Sequence, residues 1–182
     1  MRNNIRANIE TGTQILIAIA VLVIAGMVVK RYLFPSQVST ESMQEQAQRL
    51  VGTRISVPNV DWAENKKSLI LFLKKDCVFC KTSAPFYRQL IADASQRNVK
   101  WLAILPDSVE EGRAYVRSLE LPIENVQSAS LSSYKIPGTP SALFVDNQGT
   151  IKSAWVGVPP NRQTEMRDEF TALFDGKSPT KH

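Results

Sequence analysis

Apolar residues are distributed along this chain in two ways. From Ile15 to Val29 they form one unbroken run (ILIAIAVLVIAGMVV), whereas beyond Leu50 they come in short bursts between polar and turn residues. As a helix the run covers about 22 Å at about 1.5 Å per residue. That falls short of a hydrocarbon core about 30 Å thick. Extending it from Thr13 through Phe34 gives about 33 Å, provided Lys30 and Arg31 snorkel toward head groups beside Tyr32. Residues 1–34 are therefore read as an uncleaved signal-anchor with a transmembrane helix. A cleaved signal peptide and a buried core helix are the alternatives. Against them, no small-x-small cleavage site precedes the polar stretch, and the run lacks a polar face. Arg2 and Arg6 on one side nearly balance Lys30 and Arg31 on the other. The expected topology is a single pass through the inner cell membrane, with the remainder on the periplasmic side.

Residues 35–50 (PSQVSTESMQEQAQRL) are polar and are read as a solvated linker. Within them Ser42-x-x-Glu45 has the form of a capping box opening a short helix that Gly52 ends. From there to about residue 176 the pattern is that of one folded domain, with 177–182 as a tail. Ser68 to Leu73 is nearly all apolar, as a strand buried on both faces would be. An amphipathic stretch from Phe79 to Gln96 follows, then a second buried strand, Val99 to Leu105, ended by Pro106. Asp107 or Ser108 can cap a helix through Val109, Tyr115, Val116 and Leu119. Ser141 to Val145 and Thr150 to Val156 flank Asp146-Asn147-Gln148-Gly149, the turn chemistry of a β-hairpin. A last helix runs from about Asn161 to Phe174. Strands alternating with helices predict an α/β fold, a central sheet with parallel members and helices on both faces.

The totals narrow the chemistry. A chain of 182 residues that is 43% hydrophobic has enough material for a real core. The net charge of +5 comes from scattered basic residues, with no basic stripe interleaved with aromatics, so nucleic acid is not an expected partner. The single histidine, His182, is the last residue. A histidine-based triad or a di-histidine metal site is thereby nearly excluded. Trp62, Trp101 and Trp155 are read as core or edge packing. Asp107, Glu110 and Glu111 are read as first-turn acids favoured by the helix dipole.

The only two cysteines are Cys77 and Cys80. So close a pair closes a tiny loop and makes a poor structural staple. Zinc normally takes four ligands, and neither a third cysteine nor an internal histidine is present, so no metal is expected. The pair lies where a buried strand turns into a helix. There the N-terminal N–H groups and dipole stabilise a thiolate at Cys77, the species that attacks a disulfide. Cys80, one turn in, is expected to be more buried and placed to attack the mixed disulfide. The plain alternative is an inert buried pair.

Cys77-Val78-Phe79-Cys80-Lys81-Thr82-Ser83-Ala84-Pro85 resembles the thioredoxin-superfamily pattern C-x-x-C-K-x-x-A-P. Tyr134 to Asp146 (YKIPGTPSALFVD) resembles the cis-proline segment of the same superfamily, followed by a Gly-tipped hairpin and then Gly157. Between the two motifs, the extra stretch from about Trp101 to Leu121 is similar to the membrane-anchored TlpA/ResA-like branch. The resemblance implies a thioredoxin fold over about Val51 to Phe174. It implies a redox-active disulfide, Cys77–Cys80, with Cys77 attacking and Cys80 resolving, and no further cofactor. Pro140 would be the cis-proline. Thr139 would offer backbone hydrogen bonds to an extended substrate segment, and Val78 and Phe79 would complete the substrate-binding surface. Two departures stand out. Asp76 takes the place of the usual tryptophan before the first cysteine, and Leu71 takes that of the usual buried carboxylate. Ser83 stands where relatives can carry Glu, so the proton acceptor for Cys80 would come from elsewhere, from water or Glu64. Lys74 and Lys75 favour the Cys77 thiolate, and Asp76 opposes it.

The expected function is a membrane-tethered protein-disulfide oxidoreductase. Its partners would be protein disulfides or thiols and a separate thiol–disulfide electron donor or acceptor. A reductase for a specific client such as apocytochrome c, or a general oxidant, are the two forms it can take. The alternative class is a non-catalytic thioredoxin-like binding module or a thiolate-based carrier of a soft metal such as Cu(I). A peroxidase is disfavoured, because the P-x-x-x-T-x-x-C pattern is absent around Cys77.

Overall fold

The computed structural model describes residues 19–25 and 40–177. The chain divides into two units, Met1–Ser39 and Thr40–His182. In the first, residues 19–25 are helical and expose Ile19, Val21, Leu22, Val23 and Ile24. Among the described residues no helix is long and apolar enough to cross a membrane. Most of the proposed anchor, including Lys30, Arg31 and Tyr32, lies outside the described residues, as does His182.

The second unit runs α1 (Thr40–Gln48), α2 (Trp62–Asn65), β1 (Lys67–Phe72), α3 (Val78–Ala94), β2 (Val99–Leu105) and α4 (Val109–Ser118). It continues with β3 (Asn125–Ser128), β4 (Ser141–Asp146), β5 (Ile151–Val156) and α5 (Gln163–Phe174). Single 3-10 turns stand at Leu131–Tyr134 and Pro160–Arg162. The strands form one mixed sheet in the order β3-β2-β1-β4-β5. β1, β2 and β3 are parallel, while β4 is antiparallel to both of its neighbours.

β1 is buried on both faces, as its apolar run requires. Leu69, Leu71 and Leu73 point into one core with Tyr87 and Leu90 of α3 and Phe170 and Phe174 of α5. Ile70 and Phe72 point into the other, with Ile104, Leu143 and Val145. The expectation of helices on both faces is met unevenly. The steps β1-α3-β2 and β2-α4-β3 move in the same direction along the sheet. Crossovers of one hand then put both helices on one face, and Tyr115 and Val116 of α4 share the core of α3 and α5. The opposite face is covered by Ala47 of α1, Trp62 of α2 and the 3-10 turn around Tyr134.

Residues 40–50 pack on the sheet, whereas 35–39 lie outside the described residues. From Thr40 the chain is helix, so Ser42 lies inside α1 rather than capping it. The helix docks on the outer edge of β5. The Gln44 side chain donates to the Ala154 carbonyl at 2.8 Å and accepts from the Val156 amide at 2.8 Å. Gln48 donates to the same Ala154 carbonyl at 2.9 Å. These amides give an edge strand the partners a further strand would supply, and Ala47 is 1% exposed beneath them. α1 thus belongs to the second compact unit.

Candidate active site

The sheet register assembles the site. Phe72, the last residue of β1, pairs with Ser141, the first of β4. The loop leaving β1 toward Cys77 therefore meets the loop that delivers Pro140. On the other side Phe72 pairs with Ile104 of β2, and the Leu73 amide donates to the Ile104 carbonyl at 3.0 Å. The loop after β2, with Pro106 and Asp107, thus lies along the same carboxyl edge of the parallel strands.

Cys77 is the N-cap of α3, in extended conformation, and its sulfur accepts from the Cys80 amide at 3.1 Å. An amide at a helix start thus points at the sulfur that bears negative charge during exchange. The Cys77 thiol itself donates to the Thr139 carbonyl at 3.3 Å. The Thr139–Pro140 peptide bond is cis, and the Pro140 carbonyl accepts from the Gly157 amide at 2.7 Å. Cys77 and Cys80 are both free thiols, the first half-buried and the second buried. Val78 and Phe79, between them, are 69% and 72% exposed. Together they make an exposed apolar spot at the start of α3. Beside them a groove of about 320 Å³ is bounded by Thr82, Ser83, Phe86, Val158 and Pro160. The structure thus brings Cys77, Cys80, Thr139 and Pro140 together, with Val78 and Phe79 on the adjoining surface.

The environment of Cys80 is apolar. Burial first, and the neighbouring Cys77 thiol second, push its pKa from the ordinary 9.0 up to about 12. Leu71 is fully buried, with no carboxylate there, and Ser83 is 7% exposed. Glu64 is not the missing acceptor. It lies exposed in α2, before β1, whereas the cysteines follow the far end of that strand. Six strand residues span about 20 Å at about 3.3 Å each. Lys75, one of the two lysines expected to act on Cys77, is 3.4 Å from the Glu111 carboxylate.

Three buried polar groups on the elements around this edge of the sheet were not evident from sequence. Tyr87 lies two turns beyond Cys80 on the same buried face of α3, and its hydroxyl has no hydrogen-bond partner among the described residues. Burial and the charges of Cys80 and Cys77 raise its pKa. The Tyr115 hydroxyl and Asp107 Oδ2 are likewise buried and unpartnered. The spacing of Tyr87 from Cys80 was a usable signal, since positions seven apart share a helix face. Nothing local in sequence ties Tyr115 or Asp107 to the cysteines. Ser108, not Asp107, caps α4, in a full capping box with Glu111, and this leaves the Asp107 carboxylate uncommitted to the helix. Among the described residues no three His, Cys, Asp or Glu side chains gather as a metal site.

Comparison with known proteins agrees with this geometry. Residues 40–154 match the AhpC/TSA family. No curated protein matches the chain. Among solved structures, a hypothetical protein from Sinorhizobium meliloti superposes with a TM-score of 0.54 at 16% identity, over 66% of this chain and 76% of its own. A putative thiol:disulfide interchange protein DsbE from Chlorobium tepidum gives 0.51 at 18% identity, over 62% and 82%. A thiol:disulfide interchange protein from Bacteroides sp. gives 0.51 at 18% identity, over 70% and 86%. The shared fold is that of thioredoxin. With two cysteines at a helix start beside a cis-proline loop, and a family match over most of the folded unit, the chain belongs to the AhpC/TSA family.

Proposed function

We propose that this protein is a thiol–disulfide oxidoreductase that exchanges electrons with disulfides or thiols of other proteins through Cys77 and Cys80. The observation that carries the reading is the half-buried Cys77 thiol, bonded to the Thr139 carbonyl beside cis-Pro140, with buried Cys80 one turn behind it. Cys77 attacks a client disulfide. Cys80 then attacks the mixed disulfide, releasing the client reduced and leaving Cys77–Cys80 as the chain's own disulfide; the reverse sequence oxidises a client. Thr139 and Pro140 hold an extended client segment, and Val78 and Phe79 meet its apolar residues. No cofactor beyond the redox-active disulfide is required. A separate thiol–disulfide partner resets the pair. The favoured form is a reductase with a specific client such as apocytochrome c. A low reduction potential supports it, and a high one favours an oxidant.

The decisive experiment is the Cys80→Ser variant. It accumulates mixed disulfides with clients through Cys77, seen as reducible adducts on non-reducing gels. A binding module or a Cu(I) carrier gives no trapped adduct and no turnover with a model disulfide. The second proposal is the tether: residues 1–34 span the inner membrane once and hold Thr40–His182 on the periplasmic side. The exposed apolar side chains at residues 19–25 support it. A reporter active only outside the cytoplasm, fused after His182, should work; activity of a cytoplasm-only reporter reverses the topology.

A further inference from the structure

The cis-proline loop touches two elements distant from it in sequence. One is the start of α3, where the Cys77 thiol donates to the Thr139 carbonyl at 3.3 Å. The other is α1. A Cβ placed on Gly138, the residue before Thr139, would lie 3.0 Å from Met43 Sδ. Val156 Cγ1, at 3.6 Å, would be an ordinary neighbour, so only the sulfur would be crowded. Gly138 does not take a positive φ. Glycine therefore serves there for the close approach of Met43, not for an unusual backbone.

Met43 is half-buried against the core that holds Ile136 and Val156. The next residue fixes it in place, since Gln44 bonds the Ala154 carbonyl and the Val156 amide, each at 2.8 Å. One position along β5, the Gly157 amide donates to the Pro140 carbonyl at 2.7 Å. Ser141 Oγ, beyond the proline, donates back to the Gly138 carbonyl at 2.7 Å. The thioether is thus packed on a closed turn, Gly138–Ser141, that carries Thr139 and Pro140 between its ends.

We propose that Met43 is a positioning residue for client binding: packed on Gly138, it sets where the Thr139 carbonyl and cis-Pro140 meet an extended client segment. The inference rests on the oxidoreductase reading above and adds a residue from outside the cysteine and proline motifs. Without the thioether Gly138 loses its backing, and glycine has the freest backbone of any residue. The Thr139 carbonyl then strays from the client amide. Loss of a bond made equally in the bound and reacting states raises KM and leaves kcat alone. Attack itself needs Cys77 and the Cys80 amide, both at the start of α3. An attacking thiolate has no hydrogen to give Thr139.

The test compares two disulfide probes on the reduced full chain. One is an extended peptide whose cysteine is disulfide-bonded to a chromogenic aromatic thiol. The other is the symmetrical disulfide of that aromatic thiol, which has no backbone for Thr139 to bond. With either probe the pair loses two electrons and coloured thiolate is released. In Met43→Ala and Gly138→Ala, KM for the peptide rises about 2- to 12-fold, the worth of one hydrogen bond, with kcat unchanged. kcat/KM for the symmetrical probe stays at the wild-type value. Met43→Leu recovers the peptide KM, and the double variant falls short of the summed single effects. A simple loss of folded protein would lower the rates with both probes alike. An unchanged peptide KM in both single variants, or an equal fall with both probes, overturns the inference and leaves the oxidoreductase reading standing. A wild-type protein that releases no coloured thiolate from either probe overturns that reading, and the inference with it.

Discussion

Cys80 keeps its proton under conditions where an exposed thiol has lost it, and that difference is written into stability. An unfolded chain releases this proton near the ordinary value of 9.0, the folded chain only near 12. A group whose pKa rises on folding stabilises fully below its unfolded pKa, and the contribution is lost as pH climbs through the folded one. The window is thus pH 9 to 12. Tyr87 and Tyr115, ordinarily at 10.0, are shifted the same way and add to the loss from there upward. Between pH 9 and 10 the reduced protein should therefore lose about 1 kcal/mol more than Cys80→Ala, measured by urea unfolding. Parallel losses in the two proteins contradict this. At this scale the sequence disclosed the residues whose spacing carries meaning, Cys77, Cys80 and Pro140. It did not disclose that Tyr115 shares the core of Cys80, which follows only from sheet register and a second crossover. The suggestion of Glu64 failed for the same reason, since closeness in sequence to β1 put it at the wrong end of the strand.

Among the elements, α1 and β3 were the hard ones to read. α1 has few apolar residues, and its docking relies on the amides of Gln44 and Gln48, which in a sequence look like solvated side chains. β3 (NVQS) has no apolar run and is a strand because Leu102–Leu105 offers it a parallel partner. The long apolar strands and the amphipathic helices were legible, with Val99–Leu105 read to its limits. The hairpin tip was legible too. Asp146 Oδ1 accepts from the Gln148 and Thr150 amides, and Gly149 takes a φ of +75°. Gln44 makes two of the three side-chain bonds from α1 to the β5 edge. Gln44→Ala should cost about 1–3 kcal/mol and open that edge to pairing between copies. Urea unfolding and concentration-dependent light scattering check both effects. Unchanged stability with no association would mean that the amide contacts are incidental.

At the scale of the molecule, alternating strands and helices fixed the class, and the direction of two successive crossovers decided the layering. Three long helices crowd one face, while α1, α2 and a 3-10 turn serve the other. The arrangement leaves the carboxyl edge of the sheet free for the cysteines, the cis-proline loop and a visiting chain. One bond at that edge reaches beyond the resting state. The Cys77 thiol occupies the Thr139 carbonyl at 3.3 Å, and a sulfur in a disulfide has no hydrogen to donate. Oxidation therefore hands that carbonyl to an incoming amide. A cysteine-free extended peptide should bind the oxidised protein about 2- to 12-fold more tightly than the reduced, the worth of one hydrogen bond. Calorimetric titration reads the difference, and equal affinities refute it. The grip on a visitor would then be set by electron count alone, with one atom serving as both reactant and latch.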